Sequence, residues 1–193
     1  EFIELRNTTA TPVSIAGWRL DNGVDFTFPG GTTIGAGGYV VVAKNPARMQ
    51  TVYAGLTGVL GPFAGELKNG GETVALKDAA GIVVDTVNYD REFPWPSGAD
   101  ALGAGDDFTL LNSASYQYKG RSLQRVSAEA EGSDPANWLA SPVGSAPTPG
   151  GANAVSRVTP KPVVTGFSVL QSNDDSPTIR AAQPVRVQVS FTS

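Results

Sequence analysis

Apolar residues in this chain alternate with polar ones in short runs, and each run stops at a cluster of turn-forming residues. Ile3 and Leu5 alternate with Glu4 and Arg6; Val13 and Ile15 flank Ser14; Phe26 and Phe28 flank Thr27; Val74 and Leu76 alternate with Thr73, Ala75 and Lys77. A period of two places one set of side chains on one face of a pleated strand. Tyr39-Val40-Val41-Val42-Ala43 is instead continuously apolar, the pattern of a strand covered on both faces. The stretch 82–89 predicts a further long strand. Asp21-Asn22-Gly23, Pro29-Gly30-Gly31, Lys68-Asn69-Gly70-Gly71 and Asp78-Ala79-Ala80-Gly81 punctuate these runs with residues that tolerate positive φ or set turn geometry. Strands recurring roughly every 8–12 residues between such turns predict an all-β sandwich.

One helix interrupts the pattern. Asn45 can cap it, Pro46 suits its first turn, Ala47-Arg48-Met49-Gln50 favour it, and it ends near Tyr53. It reads as a connector crossing between sheets.

Composition bounds the rest. The chain has 193 residues, which at about 150 per domain is one domain with some forty residues over. Its 23 glycines and 14 prolines are many, yet 40% of residues are hydrophobic, too many for a disordered chain. Histidine and cysteine are both absent. That excludes Ser-His-Asp and Cys-His catalysis, zinc and haem sites built on His or Cys, and disulfides. No run approaches the roughly 18 apolar residues of a membrane-spanning helix. Residues 1–154 carry sixteen acidic and ten basic side chains, whereas 155–193 carry two and four. An acidic body disfavours binding to a phosphate backbone, so no nucleic-acid partner is expected.

The stretch 140–165 holds five prolines among Ser and Gly and reads as an extended spacer. Beyond it, 163–170 and 185–191 are two strand candidates, too few to fold alone. The expected organisation is a sandwich over 1–154, a linker over 155–162, and the start of a second, truncated β-sandwich over 163–193. Glu1 opens directly into a strand and Ser193 closes just after one, so the chain reads as a piece of a longer protein.

Several ordered motifs carry a resemblance. They are Phe2-Ile3-Glu4-Leu5-Arg6-Asn7, Gly17-Trp18-Arg19-Leu20, Phe28-Pro29-Gly30-Gly31, Ala36-Gly37-Gly38-Tyr39-Val40-Val41-Val42 and Lys68-Asn69-Gly70-Gly71-Glu72-Thr73-Val74. Asp85-Thr86-Val87-Asn88-Tyr89, Pro94-Trp95-Pro96, Ser122-Leu123-Gln124-Arg125, Asn137-Trp138 and Thr148-Pro149-Gly150-Gly151-Ala152-Asn153 follow in turn. Together, over roughly 1–154, they resemble the lamin tail domain in its bacterial form. The resemblance implies an immunoglobulin-like β-sandwich, no shared catalytic residues, and an accessory role in large exported proteins. It also implies a strand ahead of Glu1 that this sequence lacks, and a shorter loop than the one found here between Pro96 and Gly120.

The candidate functional residues divide accordingly. Trp18, Trp95 and Trp138 read as core packing, against the competing reading of a stacking platform for sugars. Arg125 reads as the partner of a carboxylate such as Glu4 or Asp85, against a ligand clamp. Asp21, Asn22 and Asp25, or Asp100, Asp106 and Asp107, or Asp174 and Asp175, offer oxygens to Ca²⁺ but lack the spacing of a calcium loop, and read as turn chemistry. Asp106 and Asp107 are adjacent, so in an extended segment they point apart and make a poor acid–base pair. No cofactor is expected. Phe108, Leu110, Leu111, Tyr116 and Tyr118, in the unusual 97–119 stretch, are the candidate partner-contact residues. The expected function is a non-catalytic structural or interaction module of an exported multi-domain bacterial protein, extracellular or at the cell surface, binding a protein or a surface polymer. The alternative is a carbohydrate-binding module attached to a hydrolase.

Overall fold

The structure is a computed structural model that describes residues 1–96, 98–99, 120–142, 147–157, 164–171 and 185–191. Strands β1 (Phe2–Arg6), β2 (Val13–Ser14), β3 (Arg19–Asp21), β4 (Val24–Thr27), β5 (Thr33–Ile34) and β6 (Tyr39–Ala43) come first. Helix α1 (Pro46–Val52) and strands β7 (Ala64–Gly65), β8 (Glu72–Lys77) and β9 (Val83–Tyr89) follow. A five-stranded antiparallel sheet runs in the order β7-β4-β3-β8-β9. Opposite it, β1 pairs antiparallel with β6, and β2 with β5.

The core lies between these layers. Leu20 and Val24 from the large sheet meet Ile15, Phe28, Ile34, Val42 and Phe63, with Ile3, Leu5, Val40, Val74 and Leu76 packed around them. The continuous apolar run of β6 has the expected cause. Val42 faces this core, while Val41 and Ala43 face a second cluster with Met49 of α1, flanked by Phe2, Tyr53 and Leu56. The helix forms where the sequence places it. Asn45 Oδ1 accepts from the Arg48 N–H at 2.9 Å, Pro46 occupies the first turn, and Tyr53 closes the helix.

The β3–β4 hairpin turns through Asn22 and Gly23 at φ 60° and 61°, the left-handed pair that a two-residue hairpin loop needs. Gly23 is fixed twice over, because a Cβ there would strike the Glu72 carboxyl group. In β9, Leu76 pairs with Asp85 but Lys77 with Val83, so Val84 is an extra residue. This bulge, beside exposed Ile82, Val83 and Val84, bends one end of an edge strand out of pairing geometry.

Strands β10 (Leu123–Arg125) and β11 (Trp138–Ala140) form an antiparallel pair joined by a loop that ends in a 3₁₀ turn at Pro135–Asn137. Strands β12 (Val164–Gln171) and β13 (Val185–Phe191) pair antiparallel with each other. The proline-rich spacer is corrected in part. Ser141 is fully buried, its N–H bonding Ser122 O at 2.8 Å. Pro147 and Val155 are buried, and the Arg157 N–H bonds Val126 O at 2.9 Å. Bonding of the first unit thus reaches 157, three residues beyond the boundary read from sequence. The physical reason is that proline and glycine also build tight turns, and here Thr148–Gly151 is one, closed by a Gly151 N–H to Thr148 O bond of 3.1 Å.

Candidate functional site

The two edges of the main sandwich are treated differently. At β9, the Asn88 N–H donates to Ser133 Oγ at 3.0 Å, and the Ser133 hydroxyl donates to Thr86 O at 3.4 Å. The 130–133 loop is pressed so tightly here that a Cβ on Gly132 would meet Thr86 O at 2.4 Å. Arg125 fixes this loop. Its Nη1 donates to Asp85 Oδ2 at 2.6 Å and its Nη2 to Ala130 O at 2.7 Å. Asn137, fully buried, braces the loop from within: Oδ1 accepts from the Ser127 N–H, and Nδ2 donates to the carbonyls of Ser127, Ala130 and Glu131.

At β1, only the side that faces β6 is paired among the described residues. Lys44 N–H bonds Glu1 O and Asn7 N–H bonds Gly38 O, so the odd-numbered residues of this segment exchange bonds with β6. The backbone groups of Phe2, Glu4 and Arg6 therefore point the other way. Among the described residues, no strand pairs with that side. Ile3 and Leu5 face the core yet are only half-buried. A cleft of about 1530 Å³ runs beside them, bordered by β1, by Val74 and Leu76 of β8, by Asp85 and Val87 of β9, and by Leu123 and Arg125 of β10. That is larger than the roughly 300–1,000 Å³ of small-ligand pockets. Ala99 and Gly120, which flank the 100–119 stretch, also line it.

A strap crosses between the two strands that border the cleft. The Gly150 N–H donates to Glu4 Oε2 at 2.5 Å on β1, and Asn153 Nδ2 donates to Arg125 O at 3.0 Å on β10. Burial raises the Glu4 carboxyl to about 7, the Gly150 N–H opposing this to a smaller extent. Elsewhere, burial is the main cause raising the Tyr89 hydroxyl, with the Glu72 carboxylate beside it adding to the effect. Asp21 is held below the usual carboxylate range, first by the Lys77 ammonium at 2.6 Å and then by the Asn22 N–H.

The tryptophans sit in packing positions. Trp95 is buried and its ring lies 6.2 Å from that of half-buried Trp138. The Trp138 indole N–H donates to Gly132 O at 2.7 Å, and Trp18 packs against the core. Phe93 is the one exposed ring among the described residues. Asp21 is engaged by Lys77 and Asp25 is exposed. Among the described residues, no three acidic groups converge as a metal site would require. Phe108, Leu110, Leu111, Tyr116 and Tyr118, and also Asp100, Asp106, Asp107, Asp174 and Asp175, lie outside the described residues.

Sequence reasoning did not single out Glu4 as a clasp, nor Asn7 and Asn137 as braces. Asn7 Nδ2 donates to the carbonyls of Thr11, Ile34 and Gly35. The available signal was an asparagine fixed beside an apolar run, at Arg6-Asn7 and Asn137-Trp138.

Residues 1–91 match the model of the lamin tail domain. The match runs from the open edge of β1 past the end of β9, and the lamin tail domain is an immunoglobulin-like fold, in agreement with the antiparallel layers. The hairpin β10–β11 and the strap lie beyond the matched lamin-tail residues. No curated protein and no solved structure matches the chain.

Proposed function

We propose that this chain is a non-catalytic interaction module that takes up an extended peptide strand along β1, as one unit of a larger exported bacterial protein. The observation that carries the reading is the row of outward backbone groups at Phe2, Glu4 and Arg6 beside the cleft, which no strand engages among the described residues. Backbone donors and acceptors repeating at every second residue are matched by another extended backbone. Half-buried Ile3 and Leu5 favour alternate apolar side chains on the incoming strand. The lamin-tail match supports a structural rather than catalytic role. The self-paired β12–β13 hairpin supports a setting among further β units.

Against a sugar platform, Trp18, Trp95 and Trp138 are occupied by packing. Tyr116 and Tyr118 remain proposed contact residues, together with Phe108, Leu110 and Leu111.

The test is an amide-shift titration with a short peptide of alternating threonine and valine flanked by lysines. Shifts concentrated at Phe2, Glu4 and Arg6, lost when the peptide backbone is N-methylated, are expected. Shifts absent from β1, or unaffected by N-methylation, overturn the reading.

A further inference from the structure

We propose that the cleft is a slot for one strand held from both sides, with β1 as one wall and β10 as the other. Its occupant is then a peptide segment with both backbone edges free, not the edge strand of a folded sheet; this deepens the strand-acceptor reading and rests on it.

Register fixes which way each wall faces. In β1 the backbone groups of Phe2, Glu4 and Arg6 turn away from β6. Strand β10 repeats the arrangement. The Val126 N–H donates to Asn137 O and the Ser141 N–H to Ser122 O. The even-numbered residues of this segment thus exchange bonds with β11, and the backbone groups of Leu123 and Arg125 turn away from it. Asn153 marks that direction, because its Nδ2 donates to Arg125 O. Among the described residues, no strand pairs with the outward side of either β1 or β10. Leu123 and Arg125 border the cleft, as β1 does.

Unmet side-chain groups on β10 point to a partner there. Gln124 is 3% exposed and its Oε1 has no hydrogen-bond partner, and the Nε of Arg125 is buried and unpartnered as well. Both residues line the cleft. Buried polar atoms are nearly always bonded, and an unmet acceptor and donor on neighbouring residues suit the N–H and C=O of a peptide unit.

The lining and the strap fit the same occupant. Ile3, Leu5, Val74, Leu76, Val87 and Leu123 line the cleft half-buried, so alternate side chains of an inserted strand meet apolar surface. The strap passes from its Glu4 contact at Gly150 to its Arg125 contact at Asn153 in three residues, about 10 Å of extended chain. That is the scale of an inserted strand, whose two neighbours lie about 9.5 Å apart. Residues 1–154 carry sixteen acidic against ten basic side chains, so lysines flanking the apolar positions favour approach. A strand held from both sides must offer N–H and C=O groups on both edges. A tail or loop segment does so, whereas β13 of a second copy has one edge taken by β12.

The experiment moves a single N-methyl group along the lysine-flanked threonine–valine peptide, measures Kd on the whole chain, and records amide shifts at both walls. Each central N–H faces one wall or the other, so a loss of about threefold or more is expected at every consecutive central position. Shifts at Leu123 and Arg125 should accompany those at Phe2, Glu4 and Arg6. Losses confined to alternate positions, with Leu123 and Arg125 unmoved, overturn the slot and leave pairing along β1 in place. Absence of shifts along β1 is instead the failure of the strand-acceptor reading, and of the slot with it. Protection of the Phe2, Glu4 and Arg6 amides from exchange before peptide is added also overturns the slot, because the protein itself then fills it. Leu123→Pro removes an N–H that the β10–β11 pairing does not use, and should weaken binding by about threefold or more with the β1 shifts retained. Unchanged affinity in that variant overturns the slot. The peptide scan on the wild-type chain decides alone should the variant fold poorly.

Discussion

At the residue scale, two acidic side chains in this sandwich have opposite circumstances. Asp85 is half-exposed and meets a guanidinium, whereas Glu4 is partly buried and accepts a single N–H, from Gly150. A carboxyl whose proton affinity rises on folding stabilises the fold below its unfolded pKa, and that contribution is lost as pH climbs through the folded value. The window here is 4.5 to about 7. Glu4→Gln keeps an oxygen for Gly150 and removes the charge. The variant should exceed wild type by about 1–2 kcal/mol at pH 8, a figure discounted for partial solvation, and show no advantage at pH 4.5. Urea unfolding at the two pH values checks it. Arg125→Met should act in the other direction at every pH between 5 and 8. It frees the 130–133 loop and leaves Asp85 without its cation, at about 2 kcal/mol.

At the element scale, the strands were legible wherever one rule decided them. Period two gave β1 and β8, the continuous run gave β6 with its two covered faces, and Asn-Pro gave the start of α1. Asp21-Asn22-Gly23 gave the β3–β4 turn, and Gly23→Ala should cost about 1–2 kcal/mol in thermal or urea unfolding, from positive φ and from the Glu72 carboxyl in its way. Arg125 reached one of the two carboxylates that the sequence offered it, Asp85. Illegible were the features made by distant segments. Composition reads Thr148-Pro149-Gly150 as spacer while the family resemblance places it in the sandwich, and neither reading gives its contact with Glu4, far earlier in the chain. That β1 has one side without a strand among the described residues follows from its register with β6, which no local pattern states, and the cleft beside it depends on where β10 lies. The buried asparagines escaped because each acts on loop carbonyls that no local pattern identifies.

At the scale of the whole molecule, the question is where the first unit stops. Two clues conflict in the sequence: composition changes near 140, while the strand candidates resume only at 163. Burial and hydrogen bonding against β10 and its neighbours continue to residue 157. Val155 is buried, Asn153 and Gly150 hold the two strands beside the cleft, and the Arg157 N–H is bonded to Val126 O. Past that point the recorded ladder is β12 with β13, a hairpin paired within itself. Two truncations therefore separate the alternatives. A chain ending at 157 retains every contact of the strap, and its unfolding midpoint in urea should match that of the full chain, with a change below about 0.5 kcal/mol. A chain ending at 142 loses buried Pro147 and Val155 and, among the described residues, three hydrogen bonds to the rest of the unit. It should be destabilised by about 3 kcal/mol, from roughly 1–2 for the valine and somewhat under 1 for each bond. Equal stability of the two truncations would make the strap an ornament of the surface, whereas an equally large loss at 157 would place β12–β13 within the cooperative unit of the sandwich.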